Sequence, residues 1–264
     1  MAAVTVCTDE EGVAAFAAAR ITSLVEAAVA DRGSAIVCLA GGATPQRLYE
    51  LLADARRPFR TRIDWPRVHL CWGDERHVGP DHPDSNFGMA SRALVSRVPV
   101  PPGHVHRIRA ELPDAAAAAR DYEAALARVF AAAGRTDSAF DVMLLGLGKD
   151  AHIASIFPGS PLIPAGQAGR EDPPYEREAP RVAAVWAPHL GAWRITLTPP
   201  ALLDARAILM IVAGAAKAGA VHAALDRPGD PAAWPVQLLR AAGDRVEWIM
   251  DAAAAAQRPA APPA

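Results

Sequence analysis

Cysteine is scarce in this sequence, and the three that occur, Cys7, Cys38 and Cys71, are far apart and form no CxxC pair. Such a set predicts free thiols in a reducing compartment, not disulfides or metal ligands. No uninterrupted apolar run approaches the ~18 residues of a membrane-spanning helix. The N-terminus carries early acids and lacks the basic start and apolar block of a signal peptide. These absences predict a cytoplasmic protein without a membrane contact.

The sequence also lacks a large excess of positive or negative charge. The 264 residues carry a formal net charge of −2, and the sequence pI is about 6.4. This balance argues against a nucleic-acid partner. The high Ala, Pro and Arg content resembles a GC-rich bacterial proteome. With no internal repeat or interdomain linker, we expect one α/β domain over residues 1–251, a frayed Ala/Pro-rich tail over 252–264, and a monomer or weak dimer.

Buried apolar runs alternate with amphipathic segments along the chain. Strands are predicted over 35–40, 67–72, 104–109, 142–145, 182–186, 194–197, 207–212 and 246–250. Helices are predicted over 9–31, 44–54, 85–95, 114–133, 199–204 and from Lys217 to Leu225. This alternation predicts an α/β fold with a mainly parallel sheet, helices on both faces and a small antiparallel portion. Residues 159–181, rich in Pro, Gly and charge, are expected to cross the surface as a lid.

Residues 140–159 contain the most informative pattern. The apolar run 142–145 is followed by Gly146 and Gly148, and then by Asp150 and His152. Ligands of open parallel sheets bind beyond the carboxyl ends of strands, where a carboxylate and an imidazole suit proton transfer. The alternative is a surface histidine beside a helix-capping aspartate.

A second glycine-rich turn follows the strand 35–40. Gly41 and Gly42 lead to Thr44, a predicted helix N-cap, with Pro45 at the first helical position. Free N–H groups at such a helix start favour a single phosphate group. The turn is not GxGxxG and lacks the P-loop lysine, so neither a dinucleotide nor a nucleoside triphosphate is predicted. The alternative is an ordinary tight turn.

Charged residues follow the predicted strands 67–72 and 207–212, and Arg194 lies on the predicted strand 194–197. Asp74 can hold a sugar hydroxyl or orient a proton carrier, and Arg76 can bind a carboxylate or phosphate. Lys217 and Arg194 are further phosphate candidates. The alternatives are a structural ion pair between Glu75 and a distant arginine, and solvated positions for Lys217 and Arg194.

The remaining histidines are weaker candidates. His77 and His82 could contact substrate, whereas His69, inside a strand, is expected in the core. No group of His, Cys or carboxylate residues has zinc spacing, and no GxSxG elbow occurs. Neither a metal site nor a serine nucleophile is predicted.

Five segments together resemble the 6-phosphogluconolactonase family. They are LAGGATPQRLYELL, GDERHVGPDHPDSNFGMA, LLGLGKDAHIASIFPG, RITLTPPALLDAR and VAGAAKAGAV, and the similarity spans about residues 10–251. One residue departs from the family pattern, because Ala151 replaces the glycine of the usual Asp-Gly-His. If that glycine needs a positive φ, alanine strains the loop.

The resemblance implies a modified Rossmann-like fold and hydrolysis of 6-phospho-D-glucono-1,5-lactone to 6-phosphogluconate, without a metal or organic cofactor. His152 is then the general base on water, oriented by Asp150 or Asp74, with oxyanion donors near Gly41 and Gly42 or at Gly148. Thr44, Arg194, Lys217 and Arg76 are the expected phosphate ligands. The alternatives are an aminosugar-phosphate deaminase or isomerase of the same fold, and a sugar-phosphate-binding regulator without turnover.

Overall fold

The computed structural model describes residues 2–163 and 179–259. Its strands are β1 Ala3–Cys7, β2 Ala35–Leu39, β3 Val68–Trp72, β4 Asp74–Arg76, β5 Val105–His106, β6 Val142–Leu145, β7 Val182–Ala187, β8 Ala192–Leu197, β9 Ile208–Val212 and β10 Val246–Asp251. Seven of them form a parallel sheet in the order β1-β10-β9-β6-β2-β3-β5. The other three form an antiparallel sheet in the order β4-β8-β7. The predicted α/β class, with a small antiparallel portion, is confirmed.

Eight α-helices accompany these strands in the described part of the chain. They are α1 Glu10–Arg32, α2 Ala43–Ala53, α3 Phe59–Arg62, α4 Asn86–Ala93, α5 Ala115–Ala132, α6 Pro199–Leu203, α7 Ala218–Leu225 and α8 Ala252–Ala255. A 3₁₀ turn, Ala215–Lys217, precedes α7, and 3₁₀ turns over Pro235–Arg245 precede β10.

The strands β2, β6 and β9 lie in the centre of the parallel sheet. Every residue of each is buried, although successive side chains of a strand point to opposite faces. Both faces of the sheet are therefore covered, which explains why these strands are continuous apolar runs in the sequence.

Helix α1 illustrates how local signals fix one of the covering elements. The Asp9 carboxylate accepts a hydrogen bond from the Gly12 N–H at 2.8 Å and caps its start, and Gly33 ends it at φ 77°. By length and composition alone this helix could cross a membrane, although polar residues interrupt its apolar sequence. It packs instead against β9 and β10 through a buried face that includes Val13 and Val25.

The order of the strands determines where a ligand can bind. From β2 the chain continues through β3 to β5 at one side of the sheet, and from β6 it continues through β9 to β10 at the other. Because β2 and β6 are neighbours, their carboxyl ends flank a switch point, the usual position of ligands in open parallel sheets. The two glycine-rich turns, after β2 and after β6, therefore meet there.

At the ends of the chain, one strand was not predicted and one prediction was partly wrong. The N-terminal strand β1 was missed, since it is half exposed, lies at the sheet edge and pairs only with β10, which is distant in sequence. Part of the predicted frayed tail forms α8, because the Asp251 carboxylate caps its first turn through Ala254 N–H at 2.7 Å. Most of the predicted lid, residues 164–178, lies outside the described residues.

Candidate active site

One cavity of about 500 Å³ opens at the switch point between β2 and β6. It is lined by the residues after β2 and β6, by Gly73 and Asp74 after β3, by Arg194 of β8 and by Lys217 before α7. A cavity of this size can hold a sugar phosphate. Of the nine predicted site residues, eight line it, and they are Gly41, Gly42, Asp74, Arg76, Asp150, His152, Arg194 and Lys217.

Asp150 and His152 form the predicted pair. The two side chains meet at 2.5 Å between Asp150 Oδ1 and His152 Nδ1, and both are partly exposed to the cavity. Although burial raises the pKa of Asp150, the hydrogen bond and the charge of His152 lower that pKa to about 2. An ionised Asp150 accepts the Nδ1 proton of a neutral imidazole, which leaves Nε2 free to take a proton from water.

The loop that carries this pair is closed on itself. Gly148 N–H donates to the His152 carbonyl at 2.9 Å, and Ala151 N–H donates to the Gly148 carbonyl at 3.1 Å. A Cβ at Gly148 would lie 2.1 Å from His152 Nδ1, so the imidazole needs a glycine here. Because its N–H is already used, Gly148 is not an oxyanion donor, contrary to one of the two predicted positions.

Ala151 has the positive φ that the usual glycine would allow. Its φ is 63°, its side chain is fully buried, and its carbonyl accepts a hydrogen bond from Val236 N–H at 3.0 Å. A left-handed alanine costs roughly 1–2 kcal/mol. The predicted strain is therefore present, and the Asp150–His152 contact forms in spite of it.

Asp74 is held by two residues that sequence reasoning missed. Its Oδ2 accepts from the Ser155 hydroxyl at 2.6 Å, and its Oδ1 accepts from Asn86 Nδ2 at 3.3 Å. It makes no hydrogen bond to His152 in the described part of the chain, so of the two carboxylates only Asp150 contacts the imidazole. Asn86 and Ser155 lie in the DSN and ASIF stretches of the family segments, which were the only available signals.

Glu75 is not part of an ion pair among the described residues, contrary to the alternative considered for it. Its buried carboxylate accepts from the backbone N–H groups of Arg76, Asn86 and Phe87 and from the Ser85 hydroxyl, at 2.7–3.0 Å. Burial raises its pKa, and these hydrogen bonds oppose the rise. Glu75 thus fixes the start of α4, which carries Asn86.

Arg76 and Arg194 lie directly opposite each other in the antiparallel sheet. Neither forms an ion pair with a described acid; the Arg76 guanidinium donates to the Asp84 carbonyl, and that of Arg194 to the Trp193 carbonyl at 3.1 Å. Burial and the neighbouring Arg76 lower the pKa of Arg194. Like charges opposite each other are unfavourable, so this pair suits a bound anion.

Lys217 and Lys149 add two more cations to the cavity, and they are the only lysines among the 27 lysine and arginine residues of the chain. The Lys217 ammonium donates to the Leu147 carbonyl at 2.5 Å. Its pKa is lowered by burial and by Lys149. With Arg76 and Arg194 against Asp74 and Asp150, the cavity carries an excess of positive charge, in a protein whose net charge is negative.

Thr44 was wrongly predicted as a helix cap and does not line the cavity. Helix α2 starts two residues earlier than predicted, at Ala43 instead of Pro45, after Gly42 with φ 110°. Thr44 therefore lies in the first turn, where its hydroxyl donates to Glu10 Oε1 at 3.1 Å. Gly41 and Gly42 do line the cavity, and their amides donate no hydrogen bond to any described residue.

The other histidines lie outside the cavity lining. His77 Nε2 is 2.8 Å from the Leu112 carbonyl, and His82 Nδ1 accepts from Asp84 N–H at 3.1 Å. His69 is half buried and stacks with His104 and His106. No cluster of three or more His, Cys, Asp or Glu side chains in residues 2–163 and 179–259 could hold a metal ion.

Comparisons with known proteins show the family to which the sequence and the fold are similar. The chain is 38% identical over 257 residues to a 6-phosphogluconolactonase of Streptomyces coelicolor, which covers 95% of this chain and 92% of the relative. It is 34% identical over 235 residues to a 6-phosphogluconolactonase of Synechocystis, covering 88% of each. The solved structure of a Trypanosoma brucei 6-phosphogluconolactonase superposes with a TM-score of 0.79 at 26% identity and covers 98% of this chain and 99% of that one.

A family model matches as well. Residues 8–248 fit the model described as glucosamine-6-phosphate isomerases/6-phosphogluconolactonase. The match includes every residue that lines the cavity, and of the strands it leaves out only β1 and the end of β10. With relatives above 30% identity over most of its length, the chain belongs to the glucosamine-6-phosphate isomerase/6-phosphogluconolactonase family.

Proposed function

We propose that this protein hydrolyses 6-phospho-D-glucono-1,5-lactone to 6-phospho-D-gluconate, in the cytoplasm and within the oxidative branch of the pentose phosphate pathway. The observation that carries the proposal is that a carboxylate–imidazole pair and four cations line one cavity of about 500 Å³. The substrate has a matching pair of features, an electrophilic lactone carbonyl and a phosphate dianion. The names of the relatives, 6-phosphogluconolactonases at 34–38% identity, support the same reaction.

In the proposed mechanism, His152 removes a proton from water while the water oxygen attacks the lactone carbonyl. Asp150, ionised and 2.5 Å from Nδ1, keeps the imidazole in the tautomer with a free Nε2 and stabilises the imidazolium that forms. The C1–O5 bond then breaks, and the ring oxygen takes the proton back from His152. The amides of Gly41 and Gly42 are the remaining candidates for oxyanion stabilisation.

The 6-phosphate is assigned to the cations of the same cavity. Arg76 and Arg194, opposite each other on β4 and β8, offer two guanidiniums, and Lys217 offers an ammonium fixed by the Leu147 carbonyl. A bound dianion would remove the repulsion between the two arginines. Thr44 is left out, because its hydroxyl bonds Glu10.

His152→Ala tests the proposal most directly. A positioned general base typically accelerates a reaction about 10²–10⁴-fold. After subtraction of the spontaneous hydrolysis of the lactone, we expect kcat to fall by that factor. Acid release from freshly prepared lactone, followed in a pH-stat, measures it, and calorimetry with 6-phosphogluconate should show that binding persists. His82→Ala, outside the cavity, is the matched control.

Asp150→Asn tests whether Asp150 sets the tautomer of His152. Its amide would donate to Nδ1, which places the proton on Nε2 and leaves no base facing the water, so kcat should fall nearly as far as in His152→Ala. Wild-type turnover in both variants would remove the pair from the mechanism. Release of ammonia from glucosamine 6-phosphate, without lactone hydrolysis, would assign the deaminase reaction instead.

A further inference from the structure

Asp74 is the second carboxylate of the cavity, and its surroundings differ from those of Asp150. It makes no described hydrogen bond to His152 and no ion pair within residues 2–163 and 179–259. Two neutral donors hold it, the Ser155 hydroxyl at 2.6 Å on Oδ2 and Asn86 Nδ2 at 3.3 Å on Oδ1. An ionised carboxylate has about four acceptor positions, so two remain for a ligand in the cavity.

The donors themselves are fixed by buried structure. Ser155 is 1% exposed, and its N–H donates at 3.1 Å to the hydroxyl of Thr196, which is fully buried on β8. This hydrogen bond fixes the backbone of Ser155. The loop after β6 is thereby tied to the antiparallel sheet next to Asp74.

Asn86 is held as firmly from the other side. It is 3% exposed, and Nδ2 also donates to the Asp74 carbonyl at 3.0 Å. Its amide fits against Gly41 so closely that a Cβ there would be 1.8 Å from Asn86 Oδ1. Glu75 fixes its backbone N–H at 2.7 Å. Four separate segments of the chain therefore converge to set the direction of one carboxylate.

We propose that Asn86 and Ser155 are positioning residues that aim the Asp74 carboxylate at the ring hydroxyls of the substrate. The role rests on the proposed function, because the hydroxyls at C2, C3 and C4 are the only neutral donors on the phosphorylated lactone. Asp74 is then the group that selects a hydroxylated lactone over a deoxy analogue. A site built to bond a hydroxyl discriminates strongly against a ligand that lacks it, since the buried acceptor is left unpaired.

The test compares four substrates, the parent 6-phospho-1,5-lactone and its 2-, 3- and 4-deoxy analogues. In Ser155→Ala we expect kcat/KM for the parent to fall about tenfold, mostly through KM, because one hydrogen bond to a charged group is lost. For at least one deoxy lactone, the one whose missing hydroxyl Asp74 binds, the fall should be less than about threefold. Asp74→Asn should show the same pattern with a larger loss.

Thr196→Val keeps the test informative if Ser155→Ala folds poorly, because it removes the hydrogen bond to Ser155 N–H without changing the shape of the side chain at 196. Ser160→Ala, a serine change outside the cavity lining, is the matched control. Equal losses on all four lactones, or no loss on the parent, would overturn the positioning role. If the wild-type protein hydrolyses none of the lactones, the proposed function fails, and this role fails with it.

Discussion

Gly41→Ala is a small change for which the structure predicts a large effect. Gly41 lines the cavity, and a Cβ built on it would lie 1.8 Å from Asn86 Oδ1, 2.4 Å from Cγ and 2.8 Å from Nδ2. The backbone of Gly41 does not need a positive φ, so the effect is purely steric. The Asn86 amide must move to make room for this Cβ. The movement is costly because Asn86 is buried and held by hydrogen bonds.

The magnitude follows from what the moved amide loses. Asn86 Nδ2 would give up its hydrogen bonds to the Asp74 carbonyl at 3.0 Å and to Oδ1 at 3.3 Å. An unpaired acceptor costs up to about 1–3 kcal/mol when it is buried, and Asp74 is part-buried. Forcing a methyl into a packed site costs about 1–3 kcal/mol more. We therefore expect the free energy of unfolding to fall by about 2–6 kcal/mol and kcat/KM for the lactone to fall at least tenfold.

Urea denaturation followed by circular dichroism measures the stability, and the pH-stat assay measures activity. Gly103→Ala is the matched control, since a Cβ at Gly103 meets nothing within 4 Å. The double variant Gly41→Ala/Asn86→Ala isolates the cause. If the clash with the amide is responsible, the double variant should be no less stable than Asn86→Ala alone, which gives a coupling energy of about 2 kcal/mol or more. Strictly additive losses in stability would refute the steric explanation.

Two other predictions concern charge. Burial and neighbouring histidines lower the pKa values of His69 and His106 to about 4, below the ~6.5 of an unfolded chain. The folded protein therefore binds fewer protons than the unfolded chain and should lose stability as pH falls from about 6.5 to 4. The urea midpoint should drop over this range less steeply in His106→Gln than in the wild type, and identical slopes would contradict the effect. Lys149→Ala should lower kcat/KM for the dianionic lactone about three- to tenfold at low ionic strength and much less at ~0.5 M salt, because salt screens the attraction between an exposed charge and the approaching substrate. Arg128 is exposed on α5 and lies outside the cavity lining, so Arg128→Ala should change kcat/KM at neither salt concentration. A salt-independent loss in Lys149→Ala would exclude electrostatic steering of the substrate by Lys149.

The elements that could be predicted from the sequence are those whose pattern is strong locally. The buried strands β2, β6 and β9 are continuous apolar runs, and α1 has a capping Asp9 and a terminal Gly33. The Asp150–His152 pair was predictable as well, since the two residues lie on one short loop after a strand.

What could not be predicted depends on contacts between distant segments. The strand β1 exists because of β10, and no pattern in residues 3–7 reports that partner. Thr44 has the local pattern of an N-cap, but the helix starts two residues sooner, with Gly42 as its N-cap. The positions of Asn86 and Ser155 against Asp74 join three segments, and only the folded sheet brings them together.

The composition of the cavity has a practical consequence. Arginine serves as the cation almost everywhere in this chain, and the two lysines both open onto the same cavity. Apart from the α-amino group, an acylating or aldehyde reagent therefore finds its amines only at this cavity, the proposed substrate site. Protection of Lys149 and Lys217 from such a reagent would report occupancy by phosphogluconate directly, by peptide mass, without any engineered label.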